Sequence, residues 1–349
     1  MFADNGKISK RQLAIQMMLS FGGVFLLVLP GQEGFSGREG IFALVAGYVG
    51  FCIYLFFLMR LAGPCREPLR ITGKLAGGLA AIFYGLILTV TAAWLLQQMA
   101  DIGSGYLVEG TDENLLVLLL LAVAALGTGK DIQRRGRLGE AIFPIISAAL
   151  ILFLLLALFQ GDSAYLMEVE TVTVKGILEK GWIVFSMISL MGVMPFLLGR
   201  VDRYTGASGK LRFSMGVVFL FLGANLLLLR AVFGQEGIGH KKFPMADLMA
   251  GTSLPGGFLQ RLDILWITVL ILSLLFAVGS LLFYAGDVLG RFGIPYCRIP
   301  VLVVTGFLAL PAVTDTVIVE NYLLLLTRVG APILLVFSLG MSLMGRREA

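Results

Sequence analysis

The sequence contains few of the residues that carry most enzymatic chemistry. Only 14% of its 349 residues are charged, against about 25% in an ordinary soluble domain, and it has a single histidine. No Cys-x-x-Cys or His-Glu-x-x-His motif occurs, and the stretch Gly206–Lys210 lacks the spacing of a phosphate-binding loop. These absences argue against a hydrolytic, redox or metal-dependent centre. We therefore expect no enzymatic activity, no metal site and no cofactor.

The three cysteines and the net positive charge have simple explanations. Cys52, Cys65 and Cys297 show no metal-ligand spacing, so we expect reduced, structural cysteines. The net charge is +5, but the basic residues stand in short loops between apolar runs. That distribution is typical of a membrane protein that follows the positive-inside rule, and we expect no nucleic-acid partner.

Apolar residues are abundant, and they occur in runs long enough to cross a lipid bilayer. They make up 58% of the chain, and the mean hydropathy is +0.92. A transmembrane helix needs about 20 residues. The runs predict an all-α integral membrane protein with ten transmembrane helices, at 11–30, 40–60, 76–100, 114–129, 138–159, 181–199, 213–233, 257–286, 299–313 and 321–344.

The arrangement of these ten spans predicts two inverted repeats. The fourth and ninth spans are short, and each is the fourth member of a five-helix half, which favours repeats at about 8–160 and 177–345 in a single domain, 1–349. Most of the 27 lysines and arginines fall in alternate loops, which predicts that both termini are cytosolic. Because five is odd, the second half enters the bilayer from the opposite side.

Two spans are interrupted by helix-breaking residues about 170 residues apart. The first contains Phe21-Gly22-Gly23, and the sixth contains Met191–Pro195. Broken spans in matching positions point to a transporter-type binding site, since their half-helix ends present free N–H and C=O groups to a ligand. We predict a small zwitterionic ligand bound by Ser20, Phe21, Gly22, Gly23, Ser189, Leu190, Met191 and Gly192. The alternative is that the glycines only allow close helix packing.

Other polar residues give weaker signals. Asp101 fits either an access gate or an ordinary solvated helix end. The intramembrane Arg328 fits a functional site, a snorkelling side chain or an ion pair with Glu320. Asn225 fits an interhelical hydrogen bond or a cavity residue. The eighth span has only isolated Ser273 and Ser280, and the fifth has no lysine that could replace a sodium ion. We therefore expect ligand binding without ion-driven pumping.

Five short stretches together resemble a known family. They are Ile8–Leu13, Gly22–Leu26, Leu29-Pro30, Phe243–Met245 and Phe258–Asp263, in this order over nearly the whole chain. The set is similar to the GerAB-type B-subunit permeases of spore germinant receptors, which belong to the amino acid–polyamine–organocation superfamily.

The resemblance implies a LeuT-like 5+5 inverted repeat with broken helices 1 and 6. It also implies a germinant-sensing subunit of the spore inner membrane that acts with an A-subunit and a lipoprotein C-subunit. Gly22 and Gly23 would fall at the unwound part of helix 1, and Met191 and Gly192 at that of helix 6. Arg261 and Asp263 would be structural. The chain departs from the family pattern at Gln260, where the family has Glu, at the Gly-Gly pair and at Met194-Pro195.

Three functions follow as hypotheses. The first is a receptor subunit that senses a nutrient germinant, such as an amino acid. The second is an amino-acid permease. The third is a membrane scaffold in which both interruptions serve packing alone.

Overall fold

The described part of the chain folds almost entirely into helices. The computed structural model describes residues 6–32, 34–35, 37–60, 73–108, 110–129, 131–167, 171–198, 200–202, 206–252, 262–290, 298–311 and 321–344. Across these residues the only β-type pairing is a single bridge between Ile8 and Val201.

The described residues form fourteen α-helices. In chain order they are α1 (Lys10–Val28), α2 (Arg38–Arg60), α3 (Gly73–Ile102), α4 (Glu113–Thr128), α5 (Ile132–Ala157), α6 (Ser163–Leu166), α7 (Val174–Ser189), α8 (Met194–Leu198), α9 (Ala207–Gly239), α10 (Pro244–Gly251), α11 (Leu262–Gly290), α12 (Arg298–Ala309), α13 (Tyr322–Leu325) and α14 (Ala331–Met344). Turns of 3-10 helix cover Leu29–Gly31, Leu158–Gln160 and Leu190–Val193, and π-helical turns cover Gly103–Leu107 and Leu326–Gly330.

Eight helical segments of the described chain are long and apolar enough to cross a membrane. They account for eight of the ten predicted spans, so the prediction of a membrane-spanning helical bundle is confirmed. The fourth and ninth predicted spans correspond to the apolar helices α4 and α12, of 16 and 12 residues. Both are shorter than the roughly 20 residues of an untilted span.

The two spans that carry the predicted interruptions lie at the centre of the bundle. In both Lys10–Gly31 and Val174–Leu198, 83% of the apolar stretch is buried, whereas in Ile132–Gln160 only 17% is buried. Helix α1 packs against α5, α9 and α11, and α7 packs against α2. Gly77–Leu107 and Leu262–Gly290 are also mostly buried, at 72% and 67%, whereas Ile132–Gln160 lies at the periphery of the bundle.

The predicted break in the first span is wrong. Helix α1 runs without interruption through Phe21, Gly22 and Gly23, and its geometry changes only at Leu29–Gly31, beside Pro30. A Cβ on Gly23 would lie 2.5 Å from the Ser273 Oγ of α11, so this glycine is needed for close helix contact. In lipid a continuous helix also keeps every backbone hydrogen bond internal.

The N-terminal end of α1 is fixed by local and long-range contacts. The Ser9 Oγ accepts the Gln12 N–H at 3.1 Å, and the Gln12 side chain accepts the Ser9 N–H at 2.9 Å, which is a capping box. The Ile8 N–H donates to the Arg200 carbonyl, and the Asp202 N–H donates to the Ile8 carbonyl. The start of α1 and the end of α8 therefore lie at the same end of the bundle.

Candidate functional site

The interruption of the sixth span is a short 3-10 turn. Helix α7 ends at Ser189, the turn covers Leu190–Val193, and α8 begins at Met194. Pro195 stands in the first turn of α8, where a missing N–H does least harm. The predicted interruption of the sixth span is present only as this change from α-helix to 3-10 helix, which the proline explains, whereas the first span contains only glycines in its interior.

A small cavity lies between α1, α3, the 3-10 turn, α11 and α13. Its open space is about 30 Å³, which is room for two or three water molecules. Sites for drug-sized ligands measure roughly 300–1,000 Å³. The cavity in this conformation is therefore too small for a ligand of that size. It is lined by Met17, Ser20, Phe21, Val24, Leu88, Thr91, Trp94, Leu95, Met187, Leu190, Val193, Ser280, Leu281, Tyr284 and Tyr322.

The eight predicted site residues separate into three groups. Ser20, Phe21 and Leu190 line the cavity. Gly22 and Gly23 lie on the opposite face of α1, along an apolar groove of about 330 Å³ bounded by α5, α9 and α11. Ser189, Met191 and Gly192 are buried but do not line the cavity.

A cluster of hydroxyl groups holds the 3-10 turn from the side away from the cavity. The Tyr54 hydroxyl donates to the Ser189 carbonyl at 3.3 Å and bonds the Ser338 Oγ at 2.8 Å. The Tyr84 hydroxyl bonds the same Oγ at 3.0 Å. A Cβ on Gly192 would lie 2.7 Å from the Tyr54 hydroxyl oxygen, so the turn and the cluster fit only with glycine there. We call Tyr54, Tyr84 and Ser338 the hydroxyl cluster.

An aromatic pair forms one wall of the cavity. The Trp94 and Tyr322 rings stack with their centroids 4.5 Å apart and 22° between their planes. The Tyr322 hydroxyl bonds the Thr91 Oγ1 at 2.8 Å. Tyr322 is followed by the π-helical turn Leu326–Gly330, and π-helical turns are frequent at functional sites. None of these residues was predicted, since each is a lone side chain in an apolar run.

A polar network forms the opposite wall. The Ser20 Oγ donates to the Ser280 Oγ at 2.7 Å, and the Tyr284 hydroxyl donates to the Gln16 Oε1 at 3.0 Å. The Arg135 guanidinium, only 1% exposed, donates to the Ser280 Oγ and to the Phe276 carbonyl. We call Ser20, Ser280 and Tyr284 the polar wall, and Arg135 lies directly behind it.

Arg135 was missed because the fifth span was predicted to begin at 138, which assigned this residue to a cytosolic loop. Helix α5 instead begins at Ile132, next to Asp131 at its N-cap position. An aspartate at the start of an apolar-periodic stretch is a helix-start signal, and it would have brought Arg135 into the membrane span. With this helix start, Arg135 lies behind the Ser280 hydroxyl, which separates its guanidinium from the cavity.

The comparison with protein families decides the assignment. The spore permease family, described as "Spore germination protein", matches residues 7–290. The chain belongs to the spore germination protein family.

Relatives of this spore germination protein support its classification and its fold. It is 23% identical over 299 residues to the spore germination protein YndE of Bacillus subtilis (strain 168), covering 82% of this chain and 81% of that protein. Its fold is similar to that of MHP1, a nucleobase-cation-symport-1 family transporter solved in a closed conformation with bromovinylhydantoin bound. The TM-score is 0.61 at 14% identity, over 95% of this chain and 77% of MHP1.

The weaker candidates of the spore germination protein lie away from the cavity. Asp101 pairs with Lys242 near the C-terminal end of α3. Arg328 is exposed in the π-helical turn, and Glu320, its suggested partner, is outside the described residues. The buried Asn225 donates to the Phe221 carbonyl of its own helix. Cys65, Cys297, Gln260 and Arg261 are also outside the described residues.

Proposed function

We propose that this chain is the nutrient-sensing membrane subunit of a spore germinant receptor. In this proposal a small nutrient, such as an amino acid, binds in the cavity between α1, α3, the 3-10 turn, α11 and α13. The observation that carries the proposal is this cavity, enclosed by the two most buried spans in a member of a germination family. The ligand contacts would include Ser20, Phe21 and Leu190.

The contracted cavity supports a sensing role that depends on two conformations. About 30 Å³ cannot hold an amino acid, so binding requires a second, wider state. A ligand shifts such an equilibrium by its preference for the wider state, and partner subunits can respond to the shift. The 3-10 turn at Leu190–Val193 is the natural place for movement, because a turn of 3-10 helix within a long span often marks a hinge.

The remaining predictions complete the proposal. The chain has ten membrane-spanning helices in two inverted repeats of five, with α4 and α12 as the short members. Both termini are cytosolic, in the spore inner membrane, and the receptor includes A- and C-type subunits. The proposed function calls on no metal and no cofactor.

A second candidate function is an amino-acid permease. The observation that favours it is the fold, which is similar to that of a transporter. In a permease the same cavity opens alternately to both sides, and flux rather than signalling is the result. Binding alone does not separate the two functions.

The test combines binding with flux. The purified chain in lipid nanodiscs is screened for thermal stabilisation by the common amino acids, nucleosides and sugars, and the stabilising compound is then offered to proteoliposomes in radiolabelled form. A receptor subunit binds the compound without accumulating it, with or without a sodium or proton gradient. Gradient-dependent accumulation of the compound would refute the receptor function and support the permease function.

A variant pair shows whether the cavity is the site. Leu190→Trp fills the cavity and is expected to abolish stabilisation by the compound. Val303→Trp, at a side chain that is 64% exposed on the lipid-facing side of α12, is the matched control and is expected to bind normally. Equal binding by both variants would exclude the cavity as the site.

A further inference from the structure

The polar wall of the cavity is made of hydroxyl groups that already bond to one another. Ser20 and Ser280 meet across the α1–α11 contact at 2.7 Å, and Ser280 also donates to the Phe276 carbonyl at 2.9 Å. Tyr284, one turn further along α11, bonds Gln16 one turn earlier on α1. The wall therefore offers the cavity hydrogen-bonding groups from two helices.

The charge behind this wall is positive and is not neutralised. Arg135 donates to the Ser280 Oγ, to the Phe276 carbonyl and, at 3.2 Å, to the Gly127 carbonyl. All of these acceptors are neutral, and no described carboxylate pairs with the guanidinium. Asp287, the acid on the same stretch of α11, forms its own pair with Arg200 at 2.7 Å. A buried charge of this kind inside a membrane span is expensive to maintain and marks a functional site by default.

The same region has more hydrogen-bond donors than acceptors. The Arg135 Nε and the Gln16 Nε2 are both buried, and neither has an acceptor among the described residues. An excess of donors beside an unneutralised cation is the arrangement that suits an anionic group, because charge-assisted hydrogen bonds to carboxylates are the strong ones.

The other described walls of the cavity carry no negative charge that could attract a cationic ligand. These walls are mainly apolar and aromatic, and none of the described residues that line the cavity is acidic. Two carbonyls of the last turn of α7 are engaged elsewhere, since the Ser189 carbonyl accepts from Tyr54 and the Ser186 carbonyl accepts from the Ser189 Oγ. Because α1 is continuous, its backbone also has no free N–H groups in the middle of the span to bind an anion.

We infer that Arg135 makes the cavity selective for ligands that carry a carboxylate. The inference rests on the proposed function and names the chemistry of its site. On ligand binding the Ser20 and Ser280 hydroxyls turn from their present acceptors, the Ser280 Oγ and the Phe276 carbonyl, and donate to the carboxylate instead. The guanidinium stabilises the charge of the carboxylate from behind Ser280. Arg135 is thus a positioning residue, one hydroxyl away from the ligand. Sugars and other uncharged nutrients are disfavoured, since they leave the cation without a counter-charge.

The test compares acids with their amides. Wild-type protein in nanodiscs is titrated with L-alanine, L-valine and L-asparagine, and with the carboxamide of each, by thermal stabilisation. We expect at least about tenfold tighter binding of the acid, the order of magnitude for one charge-assisted hydrogen bond. Arg135→Gln is expected to remove this difference, and Arg135→Lys to retain part of it. Arg134→Gln, at an exposed position on the same helix turn, is the matched control and keeps the wild-type ratio.

Each outcome bears on the inference. Equal binding of acids and amides by the wild type overturns it, as does an Arg135→Gln variant that weakens both forms equally. Stabilisation by chloride alone, equal to that by the acids, would assign the site to an inorganic anion instead. If Arg135→Gln fails to fold, the acid-to-amide ratios of the wild type and Arg135→Lys decide. Binding of uncharged nutrients alone refutes the inference and leaves the proposed function, whereas no binding by any compound removes both.

Discussion

Substitution of the two adjacent glycines of α1 by alanine should have opposite effects on stability. A Cβ on Gly22 has only one neighbour, the Val218 Cγ1 at 3.9 Å, which is an ordinary contact. Gly22→Ala should therefore raise the free energy of unfolding by up to about 1 kcal/mol, the helix-propensity difference between the two residues. A Cβ on Gly23 would lie 2.5 Å from the Ser273 Oγ and 3.0 Å from its Cβ. Gly23→Ala should lower the free energy by about 1–3 kcal/mol, the usual effect of overpacking.

The assay is reversible unfolding in mixed detergent micelles, followed by tryptophan fluorescence. A double variant of Gly23→Ala with Ser273→Gly removes the clashing atoms and should recover at least half of the loss, which a double-mutant cycle measures as a coupling energy. If Gly22→Ala destabilises as much as Gly23→Ala, both positions need glycine for their backbone geometry. The first span would then be broken after all, and the close-packing explanation would be refuted.

Three further predictions test other parts of the structure. Ser338→Ala should lower the free energy of unfolding by about 1–3 kcal/mol in the same assay, because buried tyrosine hydroxyls lose their shared partner, and an unchanged value would show that water replaces it. Asp101→Asn should change the free energy of unfolding by less than about 1 kcal/mol, since its Lys242 partner is largely exposed. The same variant should leave ligand affinity unchanged, and a tenfold loss of affinity would instead identify the Asp101–Lys242 pair as an access gate. In a cysteine-free background, Ser163→Cys should be modified only from outside the membrane and Arg134→Cys only from the cytosol, and the reverse pattern would invert the proposed topology.

Hydropathy was enough to predict the eight long apolar spans found among the described residues, because its signal is local and long. A change of geometry near Pro195 was also predictable, since proline has no backbone N–H and cannot donate the hydrogen bond that would continue the α-helix. The continuity of α1 was not predictable. Glycine serves both an unwound segment and a close helix contact, and the residue that decides between them, Ser273, is 250 positions away from Gly23 in the sequence.

The polar parts of the site could not be predicted from short stretches of sequence either. The hydroxyl cluster draws one residue from each of three helices, so no short window contains its pattern. Arg135 lies where a basic loop passes into an apolar helix, and the predicted boundary was six residues too late. A single error of helix boundary therefore concealed the only buried cation that contacts the polar wall among the described residues.

The small size of the resting cavity has a consequence for sensitivity. If the open form makes up only about 1% of the molecules, the apparent affinity for any ligand is weakened about a hundredfold relative to the open form. The ligand concentration at which such a protein responds then depends as much on the population of the open form as on the affinity of the open form for the ligand. In the proposed receptor, substitutions that merely enlarge the space near Leu190 would lower the nutrient concentration needed for a response, and a spore carrying them would end dormancy too early.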